Sequence, residues 1–243
     1  MQMALPREAT LYDRLLLSLQ PRDLIATFNW DPLLILAIWR NRHLVRLPKV
    51  VALHGSVALG ACRHAHSFGY RWIRCNVCGE RYEDVPLLYP VSAKNYSASG
   101  FIAGQWDHLR HDMKRNALLT IFGFSAPATD VEAVQLLHGM IAASKLKDIN
   151  EFEIIDVQQR DALVEKWKPF FVNHHYSIRS SFEGSLLAAY PRRTPEWLWL
   201  TQMLLTPFSS PSLADSKDLH ILQESARVLM REENESEDDS EAG

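Results

Sequence analysis

Cysteine is scarce in this chain of 243 residues, and its three copies, Cys62, Cys75 and Cys78, fall within one short stretch. An odd, clustered set suits a metal site or free thiols better than a disulfide framework. Charge of one sign is lacking as well: 26 Lys and Arg against 29 Asp and Glu leave a net −3. Seven of those acids lie between Arg231 and Gly243, so the body alone is mildly positive. That is too little to carry an argument for nucleic acid, and none is expected as a partner. Long apolar runs are missing: Leu33 to Trp39 is far short of the roughly 18 residues that cross a bilayer. The first residues lack the basic-then-apolar pattern of a secretory signal. The expectation is a cytoplasmic protein without membrane contact. No internal repeat is visible.

What is present is the balance of one globular domain, 47% hydrophobic and 23% charged, enough to bury a core. Leu11, Leu15, Leu16 and Leu19 recur at helical spacing until Pro21. Leu24 to Phe28 then reads as a buried strand and Leu33 to Arg42 as a helix, with Asp31 as its cap and Pro32 at its first position. Lys49 to Leu53, Leu118 to Phe122 and Phe152 to Val157 read as further strands, and Pro86 to Pro90 as a short one. Gln105 to Ala117, Val131 to Ser144 and Gln158 to Trp167 read as helices, the second capped by Thr129 or Asp130. Ser92 to Gly104 reads as loop. Short apolar strands alternating with helices predict a doubly wound α/β fold built on a parallel sheet. The organisation expected is an α/β domain over 1–170 with a Cys/His-bearing insertion at 60–85. A helical extension follows over 171–230, with helices at Ser180 to Ala189, Pro195 to Leu205 and Ser216 to Met230 and a Ser/Pro-rich link at Pro207 to Pro211. An acidic, disordered tail closes the chain at 231–243.

Ligands of open parallel sheets bind beyond the carboxyl ends of the strands. The loops there carry Asn29 and Asp31, then His54, Gly55 and Ser56, then Gly123 and Ser125 ahead of a helix. An amide, a carboxylate, an imidazole and a glycine-serine turn suit the hydroxyls and phosphates of a nucleotide. The same residues also serve as Asx turns and caps.

Thr27-Phe28-Asn29-Trp30-Asp31 followed by Leu53-His54-Gly55-Ser56 resembles the sirtuin pattern T-Q-N-x-D then L-H-G in order and spacing. Ile121-Phe122-Gly123-Phe124-Ser125 resembles the sirtuin G-T-S loop, and with the following Pro and Asp it is closer to bacterial sirtuin-like NAD-hydrolase domains of the defence kind. The resemblance covers about residues 10 to 160. It implies a Rossmann-like, sirtuin-type fold with NAD as substrate. Asn29 would orient the nicotinamide ribose or the attacking water, His54 would be the general base, and Asp31 would support the nicotinamide pocket. Thr27, Gly55, Ser56, Gly123 and Ser125 would contact the cofactor, and Asp156 would meet the adenine-side ribose. The activity implied is NAD glycohydrolysis, with protein deacylation as a further alternative. The chain departs from the pattern in one place. Sirtuins begin with a strand and a Gly-Ala-Gly-x-Ser phosphate loop, and the ten residues ahead of the first helix here contain no glycine. A fragment, a loop supplied by another chain, or a non-catalytic interaction module with a protein partner or a second copy would each account for that. An unrelated nucleotide-binding α/β protein is the remaining reading.

Cys75-Asn76-Val77-Cys78-Gly79 has the form of a zinc knuckle, and Cys62 is a natural third ligand. The fourth is sought between His64 and His66, because Ala65 stands where a second Cys-x-x-Cys would need a cysteine. Zinc, or a decayed knuckle with free thiols, are the two expectations.

Overall fold

Helix α1 (Leu11–Ser18) starts where the sequence provides a reciprocal cap: the Thr10 hydroxyl accepts from the Asp13 N–H while the Asp13 carboxylate accepts from the Thr10 N–H. The computed structural model describes residues 5–44, 47–64, 67–88, 99–115, 118–124, 131–143, 151–171, 175–193 and 212–241. After α1 come β1 (Leu24–Thr27), α2 (Leu33–Asn41) and β2 (Lys49–Ala52). Strands β1 and β2 pair in parallel, Leu24 opposite Lys49 and Thr27 opposite Ala52. The insertion is a small antiparallel sheet of β3 (Leu59–Ala61), β4 (Phe68–Tyr70) and β5 (Glu83–Asp84) in the order β4-β3-β5. Helix α3 (Gly100–Asp112), β6 (Leu118–Phe122), α4 (Val131–Ala143), β7 (Glu151–Ile155), α5 (Arg160–Phe171) and β8 (Tyr176–Arg179) follow. Strands β6, β7 and β8 form a second parallel sheet in that order. The short α6 (Leu186–Ala189) and the long α7 (Leu219–Glu241) complete the described elements.

The α/β class with parallel strands is therefore as expected, but the parallel strands lie in two sheets rather than one. Strand β7, central in its sheet, buries Phe152, Ile154 and Ile155 completely or nearly so, as a strand covered on both faces should. Leu163, Trp167 and Phe170 of α5 and Ile102, Trp106 and Leu109 of α3 pack in the same core, each set at helical spacing. Leu222, Ala226 and Met230 of α7 pack on Leu17 of α1 in a second cluster.

Several elements differ from the sequence reading. Helix α3 begins at Gly100, inside the expected loop Ser92 to Gly104, because Phe101 and Ile102 are buried in the core. Pro86 to Leu88 forms no strand; the Leu88 N–H instead donates to the His54 carbonyl at 2.9 Å. Tyr176–Arg179, expected to lie in a helical extension, is a strand because β7 offers it a parallel edge. The expected helix Ser180 to Ala189 is split into a 3₁₀ turn, Phe182–Gly184, and α6. Helix α7 continues to Glu241, through most of the segment expected to be a disordered tail. Its Glu232 and Glu233 pair with Arg193 and Arg192. The caps at Thr129 or Asp130, the helix Pro195 to Leu205 and the link Pro207 to Pro211 lie outside the described residues.

Candidate functional site

Two carboxyl ends of parallel strands, those of β1 and β6, converge on one cavity of about 950 Å³, a volume in the range of small-molecule sites. Thr27, Phe28 and Asn29 line it from one side, Phe122, Gly123 and Phe124 from the other, and Tyr12 and Tyr190 lie on its wall. The turn after β1 forms because the Thr27 hydroxyl accepts from the Asn29 N–H at 3.0 Å. That leaves the Asn29 side chain exposed, in hydrogen-bond contact with Tyr12. Burial and the Asp31 charge push the Tyr12 phenol above its usual range, against the lowering effect of the Asn29 contact. Across the cavity, Gly123 holds φ at +63° and donates its N–H to the Ile155 carbonyl at 2.9 Å. The chain thereby leaves β6 in a left-handed turn at its carboxyl end.

The remaining expected residues do not all join this group. His54 is buried, 8% exposed, and stands edge-on to Phe28 with ring centroids 4.9 Å apart. Phe28 in turn stacks on Phe124 at 4.1 Å and 8°. Phe28 therefore faces the cavity with His54 packed against it, and His54 is not among the lining residues. Gly55 and Ser56 also lie off the cavity: Gly55 at φ +81° passes against the Pro86 backbone, and the Ser56 hydroxyl accepts from the Ala58 N–H at 3.2 Å. Asp31 accepts from the Leu33 N–H at 2.8 Å, closing an Asx turn at the start of α2. The helix cap itself is Pro32, one residue later than expected. Asp156 accepts from the Gln158 N–H at 2.9 Å, again a turn-forming contact. Ser125 and His66 lie outside the described residues.

Sequence reasoning overlooked Tyr12, Phe28, Phe124 and Tyr190 as lining residues. Aromatic residues beside a strand end are the signal that would have found Phe28 and Phe124. It also overlooked Glu153, a fully buried carboxylate in the middle of β7. Glu153 accepts from the Leu186 N–H at 2.8 Å and from the Thr120 hydroxyl at 3.4 Å, with Arg179 at 3.9 Å. It ties three strands to the start of α6, and its chemistry there is structural.

In the insertion, Cys62, His64 and Cys78 bring their donor atoms within 4.8 Å of one another. Cys62 and Cys78 approach to 3.3 Å between sulfurs. Cys75 closes the turn that places Cys78: Gly79 at φ +76° donates its N–H to the Cys75 carbonyl at 2.9 Å, and the Cys75 N–H donates to Glu80 at 2.8 Å. The Ser67 hydroxyl and the N–H groups of Cys78 and Val77 hold the Cys75 thiol down to about 6, which favours the thiolate that binds metal. Two thiols and one imidazole are gathered there, with the Cys75 thiol in contact with Cys62, a set of donor types that fits tetrahedral zinc. Of the two histidines considered for the fourth ligand, His64 is the one placed in this group.

No helix among the described residues is long and apolar enough to cross a membrane. No protein-family model and no curated protein matches the chain. Solved structures similar to it include a Sir2 homologue in complex with NAD, at 15% identity and a TM-score of 0.40 over 80% of this chain and 65% of that one. A structure concerning sirtuin substrate affinity is similar at 14% identity and a TM-score of 0.38, over 70% of this chain and 64% of that one. A mutant Sir2 homologue with ADP-ribose is similar at 15% identity and 0.40, over 82% and 69%. The chain thus spans slightly less than two thirds of the first two.

Proposed function

We propose that this chain is a sirtuin-like NAD-binding domain that acts as an NAD glycohydrolase, releasing nicotinamide and ADP-ribose as in bacterial anti-phage defence. The observation that supports it most is the meeting of Asn29 and Gly123, from two strand ends far apart in sequence, on one cavity. In the reaction the bond between the ribose C1′ and the nicotinamide nitrogen breaks, and its electron pair leaves with nicotinamide. Water oxygen forms the new bond to C1′ and loses a proton to the base. Asn29, exposed at the cavity wall, would orient ribose or water through its amide. His54 would take the proton, and this requires the Phe28 ring to turn from its present place against the imidazole. Thr27, Gly123 and Ser125 would approach the ribose and phosphates, while Gly55, Ser56 and Asp31 would set the loops that hold His54 and Asn29. Asp156 would meet the adenine-side ribose.

The test is chromatography of NAD incubated with the purified chain. Nicotinamide and ADP-ribose should accumulate together, and Asn29→Ala and His54→Ala should each lower the rate at least about 100-fold, the exposed Asn29 variant with unchanged melting temperature and the buried His54 variant still folded at the assay temperature. Turnover that survives either substitution removes the role assigned to that residue. The second reading, a non-catalytic interaction module, is favoured by one observation: the Phe28 ring covers His54. Absence of NAD cleavage and of any NAD-induced rise in melting temperature would select it.

The insertion is proposed to hold zinc through Cys62, His64, Cys75 and Cys78, the metal's contribution being structural. Purified protein should then contain about one equivalent of zinc, and a chelator should lower the melting temperature. Less than about a tenth of an equivalent after expression in zinc-supplemented medium would leave the cluster as free thiols.

A further inference from the structure

Trp167 of α5 carries a donor that the folded chain does not use. The residue is 1% exposed and belongs to the main core, and among the described residues its Nε1 is buried without a hydrogen-bond partner. A buried N–H left unpaired is costly and uncommon. Trp106, the neighbouring indole of the same core, shows the ordinary arrangement: its Nε1 donates to the Leu53 carbonyl at 3.3 Å. Ser177 Oγ of β8 is the other unpartnered buried side-chain atom among the described residues, and Ser177 does not line the cavity.

Trp167 does line it. The rings beside the indole are Phe124, at 6.2 Å and 60°, and Phe170, at 5.0 Å and 54°. Neither side chain has an acceptor to offer, so the cavity is the side from which an acceptor reaches the N–H. Phe124 lines the same cavity and stacks on Phe28 at 4.1 Å and 8°. Phe28, Phe124 and Trp167 thus form a continuous row of rings that begins beside Asn29 and Gly123. The charged lining residues Asp23, Lys49 and Asp112 stand elsewhere, where β1 and β2 start: Asp23 precedes β1, Lys49 opens β2, and Asp112 pairs with Lys49 at 3.8 Å. A row of aromatic side chains with one unused N–H is complementary to a planar ring that has apolar faces and a hydrogen-bond acceptor on its edge. It does not have the chemistry that a phosphate or a sugar takes.

We propose that Trp167 donates its indole N–H to the edge of a planar heteroaromatic ring seated in the cavity against Phe28 and Phe124. This seat rests on the cavity being the NAD site proposed above, and it adds the residue that selects for a ring. Nicotinamide offers its carboxamide oxygen and adenine its ring nitrogens, so either end of NAD supplies the required chemistry. A ring without an edge acceptor leaves the N–H unpaired in a site now closed to water, and is discriminated against on that ground.

The experiment follows the indole N–H resonances of the isotope-labelled full chain during titration with nicotinamide and, separately, with ADP-ribose. The Trp167 signal is the one lost in Trp167→Phe or, should that variant fail to fold, the one with nuclear Overhauser contacts to Phe124 and Phe170. One of the two ligands should displace it downfield and slow its exchange with water, while the Trp106 signal, already bonded to Leu53, stays in place. Trp167→Phe should weaken that ligand roughly fivefold or more, the worth of one neutral hydrogen bond. The ligand that acts identifies the end of NAD that supplies the ring. The backbone amides of Asn29 and Gly123 report separately on the cavity. If the ligands move those amides and both leave the Trp167 signal still, the proposal is overturned and the cavity remains an NAD site. If neither ligand moves any of the three, both fall together.

Discussion

Asp13→Ala is expected to destabilise the protein by about 3 kcal/mol, lowering the melting temperature by roughly 6–12 °C. Asp13 is fully buried on the first turn of α1. Its carboxylate takes the Arg40 guanidinium, with Nε at 2.6 Å, the Asn41 amide at 2.8 Å and the Thr10 N–H at 2.7 Å. Asn41 in turn accepts from Gln223 of α7 at 2.9 Å, so one carboxylate joins three helices. Removing it leaves a mostly buried guanidinium without its counter-charge, holding only the Pro6 and Glu8 carbonyls, and takes the acceptor from the Thr10 N–H and hydroxyl, which costs more than the pair contributes. Burial by itself would raise the Asp13 pKa, but the Arg40, Thr10 and Asn41 contacts outweigh it and the net shift is downward. A carboxyl lowered in the folded state stabilises above its unfolded pKa, near 3.9, and that stabilisation disappears as pH falls through the folded value. Thermal melts of the wild type and Asp13→Asn at a series of pH values check this. The gap between them should be full at pH 7 and close below about pH 4. A gap independent of pH would mean that Asp13 acts by packing alone.

Gly55→Ala should be at least as damaging, about 3–5 kcal/mol from overpacking and left-handed strain together. A Cβ at this position would stand 2.1 Å from the Pro86 carbonyl oxygen and 3.2 Å from Leu87, and the backbone is held at φ +81°. The obstructing atom is main chain, and the same segment is fixed by the Leu88 bond to the His54 carbonyl, so little can yield. Gly123→Ala is the comparison: its φ is +63°, but nothing lies within 4 Å of the added carbon. It should lose only about 1–2 kcal/mol. Equal denaturant midpoints for the two variants would show that the close approach to Pro86 carries no energy. Because His54 precedes Gly55, the damaged loop should also displace the imidazole from Phe28, visible as a change in its proton resonances.

Three of the expected residues, Thr27, Asn29 and Gly123, were legible as neighbours of one cavity because strand ends are local features. Thr27, Asn29 and Gly123 follow runs of apolar residues too short for helices, and all three line the cavity. The cysteine spacing likewise foretold the cluster that Cys62, His64 and Cys78 form. Helix α3 was less legible because Gly100 and Gly104 read as loop residues. The stripe Ile102, Trp106, Leu109 and Met113 overrides that weak preference by burying itself in the core. The strands β3, β4 and β5 have two or three residues each, too few for any periodicity to show. Asp13 and Glu153 gave no sign of their burial, since a carboxylate is placed inside only by partners distant in the chain.

The sequence by itself determined the alternation of β1, α2, β2, β6, α4, β7 and α5, the parallel α/β class, the residue types offered at the strand ends and the cysteine cluster. These follow from residue type, spacing and local backbone preference. Only the tertiary structure decided that the parallel strands fall into two sheets, that β1 and β6 line one cavity, and that Phe28 comes to rest between His54 and Phe124. Strand pairing is made by backbone N–H and C=O groups that every strand carries alike, so side-chain identity cannot specify which edge finds which partner.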